Sequence, residues 1–343
     1  MMTIQNHALN KKVLLVCVKH AFGSENDFSY EWNHFYLGLK NYFQSVDFFD
    51  FYATHQNLGQ EAMQQKLRMH IETTKPDITL FSLITDQFSH DFVRSLKNVT
   101  KTFCFFMDDT WRTDFVAQWA PCFDAFSTSN HCGEKIYAAG GLANAIFMPF
   151  GVNENLFKDR GIKRDIDVSF IGAWHPHREW LIKQLQKKGI SVQVFGDRWS
   201  SGVVDTEKMI EILNRSKISL NLSNSVSWDA KYLFSSIKSI RNTLRSKKIG
   251  EQIKGRHFEI PACRALQMSF YAAGLGMVFD IDKEIIIFND SADLIQKIQF
   301  YLSHDDEREC IADAGYRRIQ KEHTYANKFV SAFNRLGWLS DAL

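Results

Sequence analysis

EQIKGRHFEIPACRAL, Glu251 to Leu266, puts acid, base, acid and a helix signal into one short stretch. Glu251 and Glu259 bracket Lys254 and Arg256, and Pro261 follows. Proline suits the first turn of a helix, where its missing N–H costs nothing, so a short helix is predicted to open at Pro261. The N–H groups of Ala262 and Cys263 would then point outward at a helix N-terminus, which attracts anions. Lys254 and Arg256 add positive charge, and arginine can grip a phosphate through paired hydrogen bonds. A carboxylate is repelled by phosphate but accepts two hydrogen bonds from a diol. A ribose joined to a diphosphate meets both demands. A solvated basic loop before an ordinary, acid-capped helix fits the same residues, so the rest of the chain must decide.

Outward from this stretch, the second half of the chain alternates strand and helix patterns. DVSFIGAW, SVQVFGDRW, KISLNLSNS, MSFYA and KEIIIF read as strands, with helices from about His177 to Lys188 and Ser291 to Leu302. A further helix begins within SHDDERECIADAGYRRIQKE. VSWDAKYLFSSIKSIRNTLRSKK, residues 226 to 248, reads as a helical insertion. The first half repeats the logic. KKVLLVCVK is a buried strand ended by the loop HAFGSEND, SYEWNHFYLGLKNYF spaces its aromatics as a helix, and VDFFDFY returns to strand. DITLFSLI, KTFCFFM, DAFSTS and NAIFMPFG supply four more strands. Strands alternating with helices imply βαβ units and parallel sheets, here in two α/β halves joined near residue 155. Ligands of such sheets bind beyond the carboxyl ends of the strands, so a cleft between the halves is the expected site.

Composition narrows the class. The 343 residues are 45% apolar and 23% charged, enough for two cores of ordinary size. A net charge of +2 argues against a dedicated nucleic-acid binder. The six cysteines (Cys17, Cys104, Cys122, Cys132, Cys263 and Cys310) form no CxxC pair and read as buried, reduced thiols of a cytoplasmic protein. MMTIQNHALNKK lacks an apolar signal core, and no run is long enough to span a bilayer. The lack of a GxGxxG after any predicted strand argues against an NAD-dependent oxidoreductase.

KGRHFEIPACRAL, KEIIIF and ADLIQKIQFYLSHDDERECIADAGYRRIQKEHTY together resemble the CgeB-like (spore maturation protein-like) glycosyltransferases. So do FFMDDTWR, APCFDAFSTS, GVN and DVSFIGAWHPHREWLIKQL; the resemblance runs from about residue 100 to 328. It implies a GT-B fold, with two Rossmann-like domains facing across a cleft. Residues 1–155 would form the N-terminal, acceptor-side domain and residues 156–320 the C-terminal, nucleotide-sugar side. Residues 321–343 would pack back toward the N-terminal domain. By the same resemblance, transfer goes from a nucleotide-sugar donor to an acceptor hydroxyl. It uses no metal and no cofactor beyond that co-substrate. Many GT-B enzymes carry two glutamates separated by seven residues, the spacing of Glu251 and Glu259. Glu259 would bind the ribose hydroxyls, Glu251 would lie nearer the sugar, and Lys254 and Arg256 would face the diphosphate. Arg264 and Ala265 stand where the family pattern leads one to expect small glycines, so the arginine changes the donor pocket or replaces another phosphate contact.

Other candidates follow the strand ends. Asp108 and Asp109, in FFMDDTWR, are the catalytic candidates: one could act as general base while the other caps a turn, or both could be turn-forming acids paired with Arg112. Gly172 and Arg178 neighbour the expected diphosphate, a glycine permitting close backbone approach. Gly196, Ser223 and Asn224 lie in loops that commonly meet the base. His175 and His177 invite a metal reading that their spacing around Pro176 does not support. Lys238, Arg241, Arg245, Lys247 and Lys248 read as a solvated helix face, with recognition of an anionic acceptor as the alternative. The acceptor, whether glycan, protein, metabolite or modified nucleic acid, stays open, as do donor base and sugar. A nucleotide-sugar epimerase of the same fold, or a non-catalytic nucleotide-sugar or glycan-binding protein, would use much of the same pocket.

Overall fold

The structure is a computed structural model, and residues 9–21, 27–222, 229–245 and 251–339 are described. The chain divides into two compact units, Met1–Leu156 with Glu322–Leu343, and Phe157–Lys321.

The first unit holds six parallel strands: β1 (Leu9–Cys17), β2 (Phe43–Asp50), β3 (Ile78–Phe81), β4 (Lys101–Cys104), β5 (Ala125–Thr128) and β6 (Ala145–Phe147). Their order is β2-β1-β3-β4-β5-β6. The register sets Val13 beside Ile78 and Val16 beside Phe81. Helices cover both faces, so the central strands read as unbroken apolar runs, with Val13 to Cys17 all buried. The chain leaves β1 toward β2 on one side and resumes at β3 on the other, making a topological switch point between β1 and β3.

Two sequence expectations change here. VDFFDFY is strand only as far as Asp50, whose side chain accepts from Ala53 N–H and caps a helix, Phe51–Thr74, broken at Gly59 (φ 78°). The aromatic run after Tyr30 opens as a π-helical turn, Trp32–Tyr36, with the Leu37 N–H reaching back to the Trp32 carbonyl. Such widened turns recur at functional sites. A third closing helix, Tyr325–Arg335, packs Tyr325 4.7 Å from Phe35 and Phe333 5.7 Å from Phe103, ring centre to ring centre.

The second unit has β7 (Ile166–Ile171), β8 (Val192–Phe195), β9 (Ser216–Asn221), β10 (Leu266–Ser269) and β11 (Ile286–Ile287), all parallel in the order β11-β10-β9-β7-β8. Val168, Phe170, Ile218, Leu220, Leu266 and Met268 share one core with Leu181, Ile182 and Leu185 of helix Pro176–Lys187. The six cysteines are unpaired, but Cys132 and Cys310 are exposed, against the expectation that all are buried.

Candidate functional site

In the first unit a cavity of about 380 Å³ opens at the carboxyl ends of β1, β3 and β4, beside the switch point. Its wall is largely apolar, from Val18, Leu83, Phe106, Met107 and Phe115, with Glu31, Asp108 and Arg112 among its polar groups. Glu31, just before the π-helical turn, is 8% exposed and accepts a hydrogen bond from the Ser82 hydroxyl at 3.1 Å. Burial pushes its carboxyl up to about 7, against the lowering effect of its hydrogen bonds. Sequence reasoning missed this residue. Its only signal was a lone carboxylate in the aromatic run SYEWNHFY after the first strand.

Asp108 and Asp109 both line this cavity but differ in kind. Asp109 is fully buried and takes hydrogen bonds from the Thr128 hydroxyl at 2.5 Å, the Ser129 hydroxyl at 2.5 Å and the Ser129 N–H at 3.1 Å. Burial raises its pKa in spite of these donors. Its geometry is that of a positioning group that fastens the end of β5. Thr128 is itself held against Gly133, where a Cβ would lie 2.2 Å from the threonine hydroxyl. Asp108 is half-buried, and its backbone carbonyl starts the following turn by accepting from Trp111 and Arg112. Arg112 donates to the Ile84 carbonyl at 2.6 Å and sits 3.9 Å from the centre of the Phe115 ring. The GVN stretch locks onto the same region: the Tyr30 hydroxyl donates to the Gly151 carbonyl, and the Asn153 N–H to His34 Nδ1.

In the second unit the helix runs Arg256–Ala262, with Gly255 as its N-cap and Pro261 near its end. This corrects the expected start at Pro261. The Cys263 N–H is taken by the Glu259 and Ile260 carbonyls and so does not face outward. Proline is tolerated because only one hydrogen bond of a short helix is lost. Glu259 is buried and pairs with Arg256, whose Nε reaches the Ile171 carbonyl at the end of β7 at 3.5 Å. The stretch is held from beneath by His257. Its Nδ1 accepts from the Lys254 N–H at 3.0 Å, and its Nε2 lies 3.2 Å from the Ser269 hydroxyl. Burial lowers His257 to about 4, so it is neutral and Nε2–H donates to Ser269. His257 is a second residue that sequence reasoning missed.

Arg178 donates to the Ala173 carbonyl at 2.7 Å. Burial lowers its pKa, and the charge of Glu251 opposes that. Gly172 and Gly196 meet each other: a Cβ on Gly196 (φ 138°) would fall 2.2 Å from the Gly172 carbonyl oxygen. Trp199 Nε1 donates to the same oxygen at 2.9 Å. Close packing of β7 against β8 thus accounts for the glycine at 196 without a ligand. Glu251 and Lys254 are half-buried. Ser223, Asn224, Lys247 and Lys248 lie outside the described residues.

One of the two readings of Arg264 fails on geometry. Arg264 (φ 56°) ends the helix in a left-handed conformation and points at acids, 3.3 Å from Asp313 and 3.5 Å from Asp159. A guanidinium so engaged is not a spare phosphate contact. His177 is buried beside Tyr232, Trp180 and Phe270 and is lowered to about 3 by burial, while His175 Nδ1 accepts from the His177 N–H. The two rings therefore have separate jobs. Among the described residues no three His, Cys, Asp or Glu side chains cluster as a metal site.

Residues 177–333 match a family model described as glycosyl transferase-like. The spore protein CgeB of Bacillus subtilis is 25% identical over 310 residues, covering 84% of this chain and 92% of that protein. The chain is thus similar to CgeB and carries a glycosyl transferase-like segment. Solved structures agree on its fold. Anabaena HepE aligns with a TM-score of 0.60 at 10% identity over 97% of this chain and 100% of that one. Sucrose-phosphate synthase from Thermosynechococcus elongatus aligns with 0.59 at 10% identity over 97% and 98%. The CgeB-like chain thus has a GT-B fold, with one parallel sheet in each unit. No helix of the described residues is long and apolar enough to cross a membrane.

Proposed function

We propose that this glycosyltransferase takes a nucleotide-sugar donor at the second unit and an acceptor hydroxyl in the cavity of the first. The observation that carries the donor half is the buried Glu259 paired with Arg256 over the end of β7, inside the stretch that matches the family model. A ribose diol would exchange hydrogen bonds with Glu259. Lys254, Arg256 and Arg178 would meet the charge that grows on the leaving diphosphate, in place of a metal ion. Gly172, Gly196 and Glu251 border the same strand ends. HepE was solved with UDP, with UDP and glucose, and with UDP-glucose, so UDP-sugars are the first donors to try.

On the acceptor side, Glu31 is the group we assign to receive the acceptor's proton. A carboxyl with a pKa near 7 is matched to that task, and Asp108 stands on the same wall. As the acceptor oxygen bonds to the sugar carbon, its proton passes to the Glu31 carboxylate. The sugar–phosphate bond breaks as that bond forms, with its electron pair leaving on the diphosphate. Asp109 keeps the wall in place and takes no proton.

A thermal-shift panel of UDP, GDP, dTDP and CMP sugars on wild type and Glu259→Gln tests the donor half. Ligand at a hundred times its Kd adds about 2.7 kcal/mol. One nucleotide class should stabilise wild type and fail to stabilise the variant. Equal stabilisation of both proteins would remove Glu259 from the pocket, and stabilisation by none of the sugars would remove the donor reading.

A further inference from the structure

Helix Ile237–Arg245 is turned inside out relative to its neighbours. Helix Thr206–Arg215 buries Met209, Ile210, Ile212 and Leu213, as an amphipathic helix on a core should. Helix Ile237–Arg245 instead buries Ser239 and Thr243. Ser239 lies within hydrogen-bond distance of Ser235 and Ser236. Its apolar side faces water: Ile237 is 87% exposed and Leu244 71%, with Phe234 just ahead at 84%. Ile237, Ile240 and Leu244 recur at helical spacing and form one outward stripe.

Beside that stripe run cations. Lys238, Arg241 and Arg245 are exposed on the same helix, and Lys231 on the helical turn before it. From Ala230 to Arg245 the chain has four Lys or Arg and no Asp or Glu, although the whole carries only +2. Among the described residues, Glu179 lies near Lys238 and Asp290 near Lys231. Glu179 is already paired with Lys183, and Asp290 caps helix Ser291–Ser303. Among the described residues no ion pair engages Arg241 or Arg245, which stand at the edge of the bare apolar stripe.

We propose that this face docks on an anionic lipid bilayer, with Phe234, Ile237 and Leu244 entering the headgroup boundary and Lys238, Arg241 and Arg245 meeting lipid phosphates. A short amphipathic helix with an apolar edge and a basic edge lies in the plane of such an interface. At nine residues it is far too short to span the bilayer. A second copy of the chain fits the face poorly, because pairing two such surfaces brings like charges together.

The test is flotation with vesicles of phosphatidylglycerol and phosphatidylcholine against vesicles of phosphatidylcholine alone. Wild type should bind the anionic vesicles at least tenfold better, and high salt should reduce that binding. The changed side chains are exposed, so Ile237→Ser/Leu244→Ser and Lys238→Glu/Arg241→Glu/Arg245→Glu should keep the wild-type Tm. Each should lose binding, the charge variant by about fivefold or more per cation. Equal binding to both vesicle types, no binding at low salt, or wild-type binding by the charge variant would overturn the proposal. So would self-association without vesicle binding that the Ile237→Ser/Leu244→Ser variant abolishes, which would give the face to a second copy. None of these outcomes bears on donor binding, which the nucleotide panel reads separately.

Discussion

Replacing Glu31 by glutamine tests the burial on which the acceptor cavity depends. The carboxyl is raised from 4.5 to about 7 because it is shut away from water. Below pH 4.5 it is protonated in folded and unfolded chains alike and has no effect on stability. Between 4.5 and about 7 the unfolded chain gives up the proton while the folded chain keeps it. The folded state then binds more protons, so its stability falls as pH rises. A pKa rise of this size corresponds to about 3 kcal/mol, fully lost above the folded value. Glutamine keeps the shape of the protonated acid and has nothing to ionise. Glu31→Gln should match wild type near pH 4.5 and exceed it by about 3 kcal/mol near pH 8. For a unit of this size that is roughly 6–12 °C in Tm. Thermal unfolding of both proteins across this range measures it, since the difference between the two curves cancels every other titrating group. A difference that stays level with pH would refute the buried, proton-holding Glu31, and with it the assigned base. Under the same assignment, transfer to a weakly acidic hydroxyl should fall by about 10²–10⁴-fold in the variant.

Further expectations follow from the second unit. Gly196→Ala should cost more than about 3 kcal/mol, read as a lowered Tm, because its Cβ meets the Gly172 carbonyl and its φ is positive. Gly202→Ala, with φ 72° and open space around it, should cost only about 1 kcal/mol. Arg264→Gly should leave both Tm and the nucleotide-sugar shift close to wild type, since half-exposed ion pairs contribute only about 0.2–1 kcal/mol and glycine suits the left-handed backbone. A lost nucleotide shift would return Arg264 to the donor pocket. His177, lowered from 6.5 to about 3 by burial, stays neutral in the fold while the unfolded chain protonates. Its stability contribution is therefore full above 6.5 and shrinks as pH falls toward the folded value. His177→Phe should flatten the acid loss of stability between pH 6.5 and 4 by roughly 3 kcal/mol, measured by thermal unfolding.

Much of this protein was legible in its sequence because the signals are local. A parallel strand covered on both faces must be largely apolar, as the buried runs of β1 and β3 are, whereas the edge strands β2 and β8 mix in polar, exposed positions. The helix read from about Ser291 to Leu302 runs from Ser291 to Ser303. The spacing of Glu251, Lys254, Arg256 and Glu259 left a donor pocket and a solvated basic loop both open, and only the resemblance of the wider chain to the CgeB-like glycosyltransferases favoured the donor reading.

What depended on distant partners was not legible. Asp108 and Asp109 are indistinguishable in a string, and only the hydroxyls of Thr128 and Ser129, twenty residues on, make Asp109 a fastener. For Arg264, a changed pocket and a phosphate contact were both open in the string, and only its pairing with Asp159 and Asp313 removes the second. Glu31 looked like one polar position on an aromatic helix. The cavity that raises its pKa is built by the ends of three strands far apart in sequence, and desolvation belongs to that enclosure, not to the residue. The outward face of Ile237–Arg245 escaped for the same reason. Periodicity announces that a helix has an apolar side, but only the packing of Ser239 and Thr243 decides that this side is left to the solvent.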